Sequence, residues 1–225
     1  MDEILVEKIN KSFGELKILK DISMKCEKEK VTCILGPSGC GKSTLLNIIT
    51  KNIKDYEGDV SGYKKDDVSF VFQEDRLLEW LNIYDNLKLV FKSKYKGIEL
   101  KNKILESLNS VGMEKYKEFY PKELSGGMRQ RISIIRAFFY GGGLLIMDEP
   151  FKSLDIKNKR VLIEDFKTLR NKNKNTVIFV THDIEEAIEL SDKIYVLSDK
   201  PTKVKKEFIN VNINIYNELK DILIN

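Results

Sequence analysis

The chain predicts an α/β protein: a mostly parallel sheet covered by helices on both faces, an antiparallel β subdomain near the N-terminus, and an inserted helical subdomain. Three observations carry that class. Short apolar runs at 31–35, 68–72, 144–147, 177–180 and 194–197 read as buried strands. Apolar residues at helical spacing fall between them, as at Leu162, Phe166 and Leu169. Residues 83–140 instead carry almost no strand pattern and two helical stripes, Ile104, Leu105, Leu108, Val111 and Met128, Ile132, Ile135, Phe139. The α/β core is therefore expected from 1–73 and 141–225, with 74–140 as the helical insertion.

Taken in order, residues 3–8 and 17–26 alternate as strands do, joined by a turn around Phe13-Gly14-Glu15. Strand 31–35 runs into a glycine-rich loop, and Leu45, Leu46, Ile48 and Ile49 open a helix after it. Tyr56-Glu57-Gly58-Asp59 reads as a turn, and Asn171 to Asn175 as a polar loop. The tail is expected to hold one strand at 203–210, one helix at 213–223 and no further regulatory domain.

Bulk properties narrow the function. Of 225 residues, 42% are apolar and 33% charged, so a large core and a well-solvated surface coexist. The net charge is only +4, from 39 basic and 35 acidic side chains interspersed along the chain. A nucleic-acid partner, which would need a clustered basic face, is not expected. The lysines at 200, 203, 205 and 206 read as a solvated edge. Cys26, Cys33 and Cys40 are odd in number and lack metal-ligand spacing, which suits a reducing compartment. The N-terminus starts acidic and does not look like a signal peptide. No run approaches the roughly 18 apolar residues of a membrane span, so a membrane role is expected to come through a partner.

The chemistry begins at Gly36-Pro37-Ser38-Gly39-Cys40-Gly41-Lys42-Ser43-Thr44, which fits G-x-x-x-x-G-K-[ST] at every fixed position, between a strand and a helix. Glycines let backbone N–H groups turn inward around a phosphate chain, and the helix N-terminus adds free donors. Lys42 is placed for the β and γ phosphates, Ser43 for Mg²⁺, and Thr44 for the α phosphate. Strand 144–147 ends in Asp148 and Glu149. Asp148 is a candidate to hold Mg²⁺, and Glu149 to orient and deprotonate a water attacking the γ phosphate. A second anion-binding helix start lies at Ser125-Gly126-Gly127, within Leu124-Ser125-Gly126-Gly127-Met128-Arg129-Gln130-Arg131.

With these stretches in hand, the chain resembles the ATP-binding subunit of ATP-binding cassette (ABC) transporters over nearly its whole length. The phosphate loop, Gln73, the signature at 124–131, the strand and acids at 144–150, Ser153-Leu154-Asp155 and Thr181-His182-Asp183 occur in the family's order. Residues 71–81 look most like importers of the nitrate, sulfonate and taurine group. The resemblance implies a head-to-tail dimer, with ATP between one copy's phosphate loop and Ser125, Gly126 and Gly127 of the other. It implies that Phe13 stacks on adenine, that Gln73 reaches Mg²⁺ or the attacking water, that His182 contacts the γ phosphate, and that Asp155 signals across the dimer. Implied partners are transmembrane permease subunits, a second ATPase subunit and, indirectly, a substrate-binding protein, at the cytoplasmic face of the membrane. Trp80 and Leu81 are candidates for the permease contact or for packing within the helical lobe.

Three departures from the family's pattern are visible: Glu79 in place of a frequent Pro, Lys152 in place of a small residue, and Gly141 to Gly143 in place of a Pro-containing link. None is expected to touch a catalytic position, and the glycines suggest a loose hinge. The chain is read as an ATP-hydrolysing importer subunit for a small anion or organic solute. A two-component exporter ATPase and a soluble non-transport ABC ATPase are the alternatives. A phosphate-loop kinase would leave the signature and His182 without a purpose.

Overall fold

A computed structural model describes residues 2–152 and 154–224; Ser153 of the quoted motif lies outside the described residues. The elements are β1 (Ile4–Phe13), β2 (Leu16–Cys26), β3 (Val31–Leu35), α1 (Lys42–Ile49), β4 (Glu57–Ser61), β5 (Val68–Val71), α2 (Ile83–Phe91), α3 (Gly97–Ser110), α4 (Gly126–Phe139), β6 (Leu144–Asp148), α5 (Ile156–Lys172), β7 (Thr176–Thr181), α6 (Ile184–Leu190), β8 (Lys193–Leu197), β9 (Val204–Ile209) and α7 (Tyr216–Ile224).

They build two sheets. The larger has the order β5-β6-β7-β3-β8-β9, and the smaller β2-β1-β4. Strands β5, β6, β7, β3 and β8 are parallel, and β9 adds an antiparallel edge. The smaller sheet is antiparallel throughout. The parallel strands are apolar on both faces because both are covered. Cys33, Leu35, Leu145, Met147, Val177, Phe179, Ile194 and Val196 face the core shared with α2 to α6. The alternate residues Ile34, Leu144, Ile146, Ile178, Val180, Tyr195 and Leu197 face the core shared with α1 and the smaller sheet. Burial on two faces leaves each strand one register, because a slip by one residue would exchange the two cores.

Residues 74–140 hold α2, α3 and α4, with no strand among the described residues. Asn82 caps α2 by accepting from the Asp85 N–H at 2.8 Å, and Ser125 caps α4 by accepting from the Met128 N–H at 3.3 Å. Arg131 ties α4 to α5 through Asp165 at 2.6 Å.

Four local expectations are corrected. The first strand runs on to Phe13, because shifts of register after Val6 break its alternation and Lys8 takes a φ of 49°. The stretch at 56–59 is not a turn: Glu57–Ser61 forms β4, with Val60 opposite Val6. The polar loop begins later, since α5 continues to Lys172. Gly141 to Gly143 are not a loose link. A Cβ on Gly142 would lie 2.5 Å from the Asp67 carbonyl oxygen and 2.6 Å from Ser69 Oγ. Asn175 Nδ2 also donates to the Gly142 oxygen at 2.7 Å, so this is a close crossing that only glycine fits. Gly142→Ala is expected to lower stability by about 1–3 kcal/mol, as overpacking does, read as a lower denaturant midpoint at unchanged slope.

Candidate functional site

The central position of β3 fixes the site. Parallel strands carry their ligands beyond their C-terminal ends, and β3 delivers the phosphate loop there between β7 and β8. Lys42 is buried, 5% exposed, although it opens α1. Its Nζ donates to the carbonyl oxygens of Gly36 and Pro37, both at 2.8 Å, so the loop wraps around the ammonium. Gly41 precedes the helix at φ 116°, where a Cβ would also meet Ile18 Cγ2 at 2.8 Å. Cys40 is buried, and its carbonyl accepts from Thr202 Oγ1, which pins the loop to the segment after β8. Ser38 and Gly39 are exposed and Pro37 is half-buried at the loop's outer bend.

Beside the loop lies a cleft of about 350 Å³ lined by Phe13, Gly39, Gly41, Lys42, Ser43, Thr44 and Glu149. Ile18 and Lys200 also line it. Sequence reading missed both, since only the tertiary fold brings β2 and the segment after β8 to the loop. Phe13 is 51% exposed, with Lys11 Nζ over its ring, 4.7 Å from the centroid.

Asp148 ends β6 on the face toward α1. Burial pushes its carboxyl above the ordinary range, and a hydrogen bond with the Ser43 side chain opposes that shift. Glu149 follows with a φ of 44°, which turns it off the strand line. Its Oε1 lies 3.8 Å from Lys42 Nζ and 3.6 Å from His182 Nδ1, while Lys152 Nζ lies 2.5 Å from Oε2. Burial alone would raise this carboxyl; Lys152, then Lys42 and His182, outweigh it and hold the group ionised below its ordinary value. The expectation that Lys152 stays clear of the catalytic positions is therefore corrected. His182 follows β7, which pairs in parallel with β6, and that adjacency brings imidazole and carboxylate together.

The donors fit Mg²⁺. Among the described residues no cluster of three His, Cys, Asp or Glu side chains could hold a metal alone. Mg²⁺ asks for less: hard oxygens from one or two side chains, with phosphates and water completing the shell. The Ser43 hydroxyl and the half-buried Asp148 carboxylate are hard oxygens in contact, and burial of Asp148 leaves an anionic charge that a cation would relieve.

Not all predicted residues meet here. Gln73 is exposed beyond β5 and is not among the residues lining the cleft. Ser125, Gly126, Gly127 and Asp155 form a separate cluster. Asp155 caps α5, accepting from the Asn158 N–H at 2.9 Å and from Asn158 Nδ2 at 2.6 Å, bonds that hold its carboxyl below the ordinary range. Asn158 also abuts Gly127, whose Cβ would lie 3.0 Å from Asn158 Cγ. One chain thus carries two helix starts suited to anions, and only the first stands at the cleft.

A sequence profile of the ABC transporter family matches residues 19–152. The chain belongs to the ABC transporter family. An aliphatic sulfonates import ATP-binding protein of Bacillus cereus is 40% identical over 209 residues, spanning 89% of this chain and 82% of the relative. A sulfate/thiosulfate import ATP-binding protein of Pectobacterium atrosepticum is 36% identical, spanning 87% of this chain and 63% of the relative. A dimeric ATP-binding cassette solved in a post-hydrolysis state with ADP and Pi superposes with a TM-score of 0.79 at 30% identity, over 93% of this chain and all of that one. The present chain is accordingly an ATP-hydrolysing ABC cassette.

In this ABC cassette, Lys42 is the buried ammonium among the described residues lining the cleft; its acceptors are two carbonyls, with the Glu149 carboxylate as a longer-range ion pair. Its replacement removes the countercharge a triphosphate needs. Lys42→Ala is expected to weaken ATP binding by roughly 30-fold or more, the lower end for truncating one partner of a buried charge pair, as titration calorimetry would read it.

Proposed function

We propose that this cassette powers import of a small organic anion of the aliphatic sulfonate class, as one of two ATPase subunits beneath a membrane permease. The observation that carries the hydrolytic half is the Glu149 carboxylate, 11% exposed, with one oxygen between Lys42 and His182. In this reading ATP lies in the cleft, its base on Phe13 and its phosphates along residues 36–44 (Gly36, Pro37, Ser38, Gly39, Cys40, Gly41, Lys42, Ser43 and Thr44). The Ser43 hydroxyl and Asp148, joined by Gln73, would hold Mg²⁺, which would supply countercharge to the phosphates. Glu149 accepts the proton of the attacking water, and His182 holds that water against the γ phosphate.

The second half of the site comes from another copy. Ser125, Gly126 and Gly127 form a capped helix start that is not part of the lining of their own cleft, and Asp155 is linked to them through Asn158. A triphosphate drawn to both helix starts closes the dimer, and cleavage of the γ phosphate releases it. The solved dimer with ADP and Pi supports this arrangement. Residues 74–140 act as the lobe that moves.

The permease contact is proposed around the loop after β5. Trp80 is 73% exposed there, whereas Leu81 is half-buried, which leaves Trp80 as the stronger anchor. Nearby, Phe72, Arg76, Val90, Arg136 and Tyr140 line a groove of about 360 Å³. Arg129 pairs with Asp75 at 2.9 Å, and Arg136 donates to the Asp75 and Arg76 carbonyls at 2.7 and 3.0 Å. Both arginines stand on α4, so movement at the signature is carried to the docking loop. Among the described residues no helix is long and apolar enough to cross a membrane. The sulfonate class rests on the curated relatives. Deletion of the gene is expected to abolish growth on an aliphatic sulfonate as sole sulfur source while sparing growth on cysteine; unimpaired growth would favour an exporter or a different solute.

Glu149→Gln is expected to bind ATP as the parent does and to lose turnover by about 10²- to 10⁴-fold, the span of a lost general base. It should also accumulate an ATP-held dimer on size-exclusion chromatography. Parent-like hydrolysis removes the base assignment, and a monomer in ATP removes the shared site.

A further inference from the structure

We propose that Lys152 is a positioning residue for hydrolysis: it holds one oxygen of Glu149 so that the other is presented to the attacking water. The proposal rests on Glu149 being the base.

Three features of the strand end lead to it. The backbone turns back at Glu149, φ 44°, and the turn closes with the Lys152 N–H donating to the Glu149 carbonyl at 3.1 Å. Phe151, 2% exposed and edge-on to Phe166 with centroids 6.4 Å apart, anchors the turn in the core. The Lys152 side chain is thereby returned over the carboxylate that precedes it, with Nζ 2.5 Å from Oε2.

The two carboxylate oxygens are then unequal. Oε1 faces the phosphate loop and the residue after β7, with Lys42 at 3.8 Å and His182 at 3.6 Å. Oε2 is buried and accepts no hydrogen bond of good geometry among the described residues, so the Lys152 charge is what holds it. A carboxylate has two-fold freedom about its last torsion. A base needs one lone pair aimed at one proton, and fixing the other oxygen removes the unproductive rotations. Lys152 is 37% exposed at its side chain, so it reaches the carboxylate from the solvent side without occupying the nucleotide cleft. The same contact through a small residue is impossible, since only a long cationic side chain spans the turn.

The test is steady-state hydrolysis of Mg-ATP by the full chain in three variants. Lys152→Met, which keeps the aliphatic stem, should lower kcat about tenfold, a fraction of the loss expected for the base itself, with KM for ATP within twofold of the parent. Lys152→Arg should recover at least half of the parent kcat, because a guanidinium can still hold Oε2. Glu149→Gln provides the baseline. A kcat for Lys152→Met within twofold of the parent, or above it, overturns the inference, as does a parallel loss of ATP affinity or failure of arginine to rescue. If those results appear beside an inactive Glu149→Gln, the base assignment stands and the positioning role alone is lost. Parent-like turnover by Glu149→Gln removes both.

Discussion

The site is organised around one buried ammonium. An unpaired charge inside a protein is costly, so Lys42 must always have partners. Those partners are the Gly36 and Pro37 carbonyls and, at longer range, Glu149. The loop therefore holds its phosphate-binding shape by closing on its own lysine. In the proposed function, a phosphate chain would offer that ammonium a formal anion in place of weak acceptors. In the same proposal Glu149, whose Oε1 lies 3.8 Å from Lys42 Nζ, would lose part of its countercharge to the phosphate. The proposed base and the phosphate anchor thus sense each other through a single side chain.

The large sheet makes that geometry rigid. Each parallel strand is fixed in register by two apolar cores, and the strand ends carry the chemistry: the phosphate loop after β3, Asp148 and Glu149 at β6, and His182 after β7. Neighbouring strands stand about 4.8 Å apart, so consecutive ends in the order β6-β7-β3 bring these groups within reach without any loop having to search. Thr202 and the segment around it close the loop from the far side through Cys40.

This explains which parts were legible in the sequence. The five apolar runs stood out because strands buried on both faces need no polar alternation. β4 was hidden, because of its five residues only Val60 is buried, and its pairing with Val6 is a tertiary fact. β1 was cut short by its own bulges. The triple glycine was misjudged because permissive backbone and crowded backbone call for the same residue, and only the Asp67 carbonyl beside Gly142 separates the two. At the site, the phosphate loop and the paired acids could be placed from spacing alone. Lys152 could not. Its approach to Glu149 depends on a left-handed φ at the glutamate, which no helix or strand periodicity encodes.

The separation of Ser125, Gly126 and Gly127 from the cleft has its own physical logic. A single chain that wrapped its nucleotide completely would gain affinity and have nothing to move. Placing one anion-binding helix start at the cleft and the other on α4 leaves part of the nucleotide's attraction available for work between bodies. The work has a route in this chain. Asp75 and Arg76 follow the end of β5 and are gripped by Arg129 and Arg136, on the helix whose start is the signature. Arg131 holds that helix to α5, which begins at Asp155. In the proposed coupling, a pull on the signature would reach both the loop bearing Trp80 and the cap of α5 through these attachments of α4.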